Sequence, residues 1–102
     1  MKKSIATIER IRVEHGNEIA TIRNMGQLTE IKIGSVNGEL LTEIFHPKEL
    51  NDLVGKEVGI IEANYNVIGF NGNSHSHKGL LFQPVNSFIF RGNDWSIVRL
   101  GE

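Results

Sequence analysis

Two histidines two positions apart, His75 and His77, lie in the most unusual stretch of the chain, Asn71-Gly72-Asn73-Ser74-His75-Ser76-His77-Lys78-Gly79. In extended backbone, residues i and i+2 project to one side, so both imidazoles could ligate one metal ion. A mononuclear site needs a third or fourth donor. His15, His46 and Asp94 are the remaining candidates, and no spacing brings them near. No metal and no cofactor is therefore assigned. The composition of the stretch is that of a polar loop. Loops on a rigid scaffold carry binding residues disproportionately. Lys78 beside two histidines suits a phosphate, with Ser74 and Ser76 as further hydrogen-bond donors.

The surrounding sequence leans the same way. Residues 63–102 carry six of the seven aromatics (Tyr65, Phe70, Phe82, Phe88, Phe90 and Trp95) and six of the ten Asn. They hold Asp94 and Glu102 against Lys78, Arg91 and Arg99, whereas residues 1–62 hold ten acids against eight Lys and Arg. Aromatic faces stack nucleobases, cations neutralise phosphates and Asn bonds base edges. Against this stands the ordinary use of Phe in cores and Asn in turns. Phe88 and Phe90 alternate with Ile89 as a buried face would. Tyr65 and Trp95 have polar tips that tolerate a wet edge, which favours them as ring contacts. The candidate ligand-binding residues are Tyr65, His75, His77, Lys78, Arg91 and Trp95, with no catalytic residue among them.

Two functions follow, and a structural or partner-binding role, with strand edges adding to another chain, stands as a third. The first is a non-catalytic binding protein for single-stranded nucleic acid or RNA. The alternative is an oligomeric protein that binds or sequesters a small anionic, nucleotide-like ligand between subunits, with segment 71–79 closing over it and His75, Lys78 and Arg91 on the phosphate. A homo-oligomer is expected in either case, because small β domains leave apolar strand faces to pair. Enzyme signatures are weak. The chain has no Gly-rich phosphate loop and no Ser elbow. With no Cys, a thiol nucleophile, a disulfide framework and Cys-ligated metal are excluded. The formal net charge of -1 argues against a strongly basic duplex-DNA binder. No apolar run approaches the roughly 20 residues of a membrane span, and the start Met1-Lys2-Lys3-Ser4 does not read as a secretory signal. A cytoplasmic protein without membrane partners is expected.

These residues need a scaffold, and the composition points to β-structure. Ile (13), Val (7) and Thr (4) give 24 β-branched residues, against three Ala. Such side chains suit a pleated, half-buried surface. A single β-rich domain over residues 1–102 is expected, a small curled barrel or sheet of OB-like or SH3-like type with one short helix near residues 47–54. Ser4 to Glu14 reads as a strand whose phase slips between Ile8 and Ile11, which marks a β-bulge or a bend; a helix is the competing reading, since Ile5, Ile8 and Ile11 are three apart, and the β-branched content favours strand. His15-Gly16-Asn17 is a turn, Glu18–Met25 a strand, Gly26-Gln27 a break and Leu28–Val36 a strand with Ile31 and Ile33 on one face. Asn37-Gly38 is the type I′ hairpin dipeptide, which would set Lys32 opposite Glu43 and Ile31 opposite Ile44. His46–Gly55 carries Pro near its start, Gly at its end and Leu50, Leu53 and Val54 on one stripe. Lys56–Phe70 is extended, Asn71–Lys78 is a polar loop, Leu80–Phe82 and Asn86–Phe90 are strands, Arg91–Asp94 is a turn and Trp95–Leu100 closes the chain.

Overall fold

A computed structural model describes residues 3–68, 74–89 and 95–100. The strands are β1 (Ser4–Glu14), β2 (Asn17–Asn24), β3 (Gln27–Ile33), β4 (Glu57–Ile68), β5 (Ser74–Gln83) and β6 (Trp95–Leu100), with one helix, α1 (Ser35–Phe45), between β3 and β4. All pairings are antiparallel and the main path is β3-β2-β1-β4-β5. The first part of β4 pairs with β1 through Glu57–Ile60, and its second part pairs on with β6 through Ala63–Val67. The result is a curled half-barrel with one short helix, the mainly β architecture that the composition predicts.

The first three strands follow their sequence closely. The register of β1 against β2 shifts between Ile8 and Arg10, so Glu9 is the extra residue of a bulge. That bulge lets Ile8 and Ile11, three apart, share the inner face with Ile22 and Ala20. The β1–β2 turn has His15 at φ 51° and Gly16 at φ 77°, and the β2–β3 turn has Met25 at φ 52° and Gly26 at φ 80°. Two successive residues at positive φ make type I′ turns, and glycine at the second position avoids a steric cost there. Ile31 and Ile33 are buried while Glu30 and Lys32 are exposed, as alternation requires. On the outer face Arg12 bridges Glu14 and Glu30, and Arg23 pairs with Glu9. Their side chains are 30–53% exposed, so they solvate the face more than they stabilise it.

The next segment overturns an expectation. Asn37-Gly38 makes no hairpin, and Lys32–Glu43 and Ile31–Ile44 are not cross-strand pairs; both residues lie in α1. The reason is tertiary. Asn37 is only 7% exposed. Its Nδ2 donates to Leu80 O at 3.0 Å, and its Oδ1 accepts from Phe82 N at 3.0 Å. The amide thus satisfies the outer edge of β5 as another strand's backbone would. It satisfies buried groups whose exposure to hydrocarbon would cost about 1–3 kcal/mol each. The apolar residues around it have helical spacing. Leu41 enters the barrel core with Ala6, Ile8, Ala20, Ile22, Val58, Ile60 and Phe82. Val36 and Leu40 meet Ile61, Ala63 and Leu81 on the opposite face of β4–β5. The helix therefore straddles the β5 edge, and the middle of β4–β5 is buried on both faces. Burying a Leu contributes about 1.5–3 kcal/mol, enough for Leu40 and Leu41 to outweigh a local turn preference.

Segment 47–54 holds a single 3-10 turn, Leu50–Leu53. Its start is closed by a reciprocal cap in which Glu49 N donates to Asp52 Oδ2 at 3.0 Å. Leu53 is fully buried, whereas Val54 is 41% exposed and leaves the expected stripe. Ser74–Lys78 is strand, not loop, because β5 pairs with β4 without a slip from Gly59–Gln83 to Ile68–Ser74. Residues 86–89 form no strand. They are held as an irregular segment by Lys3, whose Nζ donates to Pro84 O at 2.8 Å and Ser87 O at 2.7 Å. The same ammonium lies 4.3 Å from the Phe88 ring centroid. Gln83, fully buried, ties Ile89 N to its Oε1 at 2.6 Å.

Candidate functional site

Constant register in β4–β5 sorts the predicted site residues. Tyr65 pairs directly with His77, and Val67 with His75. Strand alternation therefore puts His75 and His77 on one face, as their spacing implies, and Tyr65 shares it. The Tyr65 and His77 rings stack, centroids 5.5 Å apart and planes inclined by 19°. Tyr65 is half-buried against the Ile61–Ala63–Leu81 cluster, and His77 is exposed. Burial raises the Tyr65 phenol above its usual range, so it remains a neutral donor through neutral pH.

Lys78 goes to the other face. It pairs with Asn64 and lies 3.8 Å from Glu62, with both side chains well exposed. Ser76 is also on that face and donates to Asn66 Oδ1 at 3.0 Å. The expected cluster of two histidines, lysine and serine is thus split across the sheet. Trp95 is placed by backbone register, paired with Val67, and Ile97 is paired with Tyr65. Arg91 and residues 71–73 lie outside the described residues.

A groove of about 340 Å³ adjoins the ring pair, lined by Lys32, Gly34, Ser35, Val36, Asn37, Tyr65 and His77. It lies where the end of β3 and the start of α1 come up beside β4–β5. Gly34 caps α1 with extended backbone and no side-chain hydrogen bond, and the first turn carries no acid. Helix N-termini leave amide N–H groups unsatisfied and carry partial positive charge. Lys32 makes no ion pair with another described residue. The groove thus joins stacked rings, one ammonium and helix-start amides, with no carboxylate in its described lining.

Lys32, Gly34 and Ser35 were not among the residues singled out by sequence. Their signal is the helical spacing of Val36, Leu40 and Ile44, which starts α1 at Ser35. A larger depression, about 470 Å³, runs along Gly38, Glu39, Thr42, Glu43 and His46 on the outer side of α1. It is lined by two glutamates, and its one ring, His46, stacks on no other ring among the described residues. No group of three or more metal-binding side chains occurs among the described residues. No described helix is long and apolar enough to cross a membrane. Comparison with protein-family models, curated proteins and solved structures gave no significant match.

Proposed function

We propose that this protein is a non-catalytic binder of a small, phosphorylated, ring-bearing ligand of the nucleotide class. The observation that carries the reading is the Tyr65–His77 stack at the lip of the Lys32–Ser35 groove. A base laid on the exposed His77 ring extends the stack, worth about 1–3 kcal/mol. A phosphate in the groove meets Lys32 and the amides that open α1, a favourable place for an anion. The volume lies at the small end of the range for ligand pockets, about 300–1,000 Å³. Assembly as a homo-oligomer and a cytoplasmic location belong to the same proposal.

The charge balance is what favours a single nucleotide over a tract of single-stranded RNA. Tract binders neutralise several phosphates with a row of Lys and Arg. The described lining of this groove supplies one, Lys32. Calorimetry with a nucleoside, its monophosphate and a short single-stranded oligonucleotide tests the reading. The monophosphate should bind, the nucleoside more weakly, and Lys32→Ala should remove the difference between them. Tyr65→Ala should weaken both. An oligonucleotide that binds far more tightly, with a steep salt dependence, would replace this reading with the nucleic-acid one. No binding of any of the three would refute both.

A further inference from the structure

The outer edge of β5 is used unevenly. Asn37 occupies its Leu80 O and Phe82 N. The same alternation makes the N–H and C=O of Lys78 and Ser76 face outward, because β5 keeps one register against β4 throughout. Nothing among the described residues bonds to those outward groups. An edge of this kind is a template for another strand. On the exposed stretch stand His75 and His77, both solvent-accessible and on one face. Two imidazoles are half of a four-nitrogen site, and no described donor of the same chain makes a third.

We propose that His75 and His77 form half of a zinc site completed by a second copy of this chain, the two β5 edges pairing antiparallel about Ser76. The strand's own parity selects this register. Residues with outward backbone groups must pair with one another, so Ser76 meets the partner's Ser76 and Lys78 meets the partner's Ser74. His75 then stands opposite the partner's His77, and His77 opposite the partner's His75. These are non-hydrogen-bonded pairs, whose side chains approach most closely, with Cβ atoms about 4.5–5.5 Å apart. Four imidazoles surround the two-fold axis, a donor set suited to zinc.

A second copy fits this edge better than an unrelated strand. Only a copy brings the two missing imidazoles, and its register sets no like charges opposite one another: Lys78 faces a serine and keeps Glu62 beside it. The Tyr65 stack fixes the plane of the His77 ring before metal arrives, which is how supporting contacts orient metal ligands. The site shares His77 with the groove, so zinc-linked pairing and base stacking compete for that ring; the test contains no nucleotide, so the two proposals fail separately.

The test is zinc chloride titrated into the untagged full chain, followed by light scattering for mass and elemental analysis for bound zinc. The expected result is a doubling of mass at one zinc per two chains, reversed by chelator. His75→Ala and His77→Ala, both at exposed positions, should abolish doubling and zinc retention together. Ser76→Pro should also abolish doubling by removing the central outward N–H, while the far-ultraviolet spectrum stays unchanged. Zinc bound without doubling, one zinc per chain, doubling that survives both histidine variants, or no zinc bound would each overturn the proposal.

Discussion

Gly38→Ala separates the helix observed at this segment from the hairpin its local sequence suggests, because the two predict opposite signs. In α1, Gly38 lies in the first turns, with Gly38 N bonded to Gly34 O at 2.8 Å. A Cβ added there meets only Ile33 Cγ2, at 3.9 Å, an ordinary contact. Replacing glycine by alanine in a helix gains about 0.8–1.0 kcal/mol, somewhat less near an end. The expected stabilisation is therefore about 0.5–1 kcal/mol. For a chain of this size that raises Tm by roughly 2–8 °C. In a type I′ turn Gly38 would need positive φ, and alanine would cost about 1–2 kcal/mol. Urea denaturation followed by circular dichroism measures the sign directly, provided the m-value is unchanged. A loss of stability with unchanged m would refute the helical assignment of Ser35–Phe45 and with it the wall of the groove. Asn37→Ala is the companion variant. It strands Phe82 N and Leu80 O, at a cost of about 2–4 kcal/mol, and Asn37→Asp should be at least as damaging because it turns a carboxylate toward a carbonyl.

Three further outcomes are expected. Thr21 is 5% exposed and its Oγ1 has no hydrogen-bond partner among the described residues, so Thr21→Val should stabilise by about 1 kcal/mol in the same urea assay; a loss would mean the hydroxyl is satisfied. A Cβ on Gly59 would stand 2.5 Å from Lys3 Cδ and 2.9 Å from Pro84 O, so Gly59→Ala should cost about 1–3 kcal/mol and loosen segment 84–89, seen as faster amide exchange at Ile89. Arg12 bonded to Glu30 holds that carboxyl below the usual glutamate range, so the pair's stabilisation is present above the unfolded pKa and lost as pH falls through the folded one. Glu30→Gln should flatten the acid limb of the stability curve slightly, and an unchanged acid limb would mean the exposed pair contributes nothing.

The strand scaffold was legible where one face is buried. The spacing of Ile8 and Ile11 points to a bulge or a bend, which the register shift makes a bulge at Glu9, and Ile31 and Ile33 reveal the inner face of β3. It was illegible where local and tertiary preferences disagree. Asn37-Gly38 carries the strongest turn signal in the chain, but the two hydrogen bonds of the Asn37 amide to β5 and the burial of Leu40 and Leu41 outweigh it. Ser74–Lys78 reads as loop because neither face is apolar; its strand character comes from pairing with β4, which no property of the segment itself announces. The same misreading hid the division of the site, since a strand sends Lys78 away from His75 and His77 while a loop does not. Tyr65 and Trp95 were the ring contacts expected; the stack found joins Tyr65 to His77 instead, a consequence of cross-strand register that the sequence does not announce.

An anionic, ring-bearing ligand is proposed to sit on the Tyr65–His77 pair with its phosphate at the start of α1. Amide chemical-shift mapping of the labelled protein during titration with a nucleoside monophosphate tests it most directly. Saturable shifts should peak at Gly34, Ser35, Val36 and His77 and disappear in Lys32→Ala. Saturable shifts confined to another surface, such as the Glu39–Glu43 side of α1, or no saturable shift at all, would contradict it.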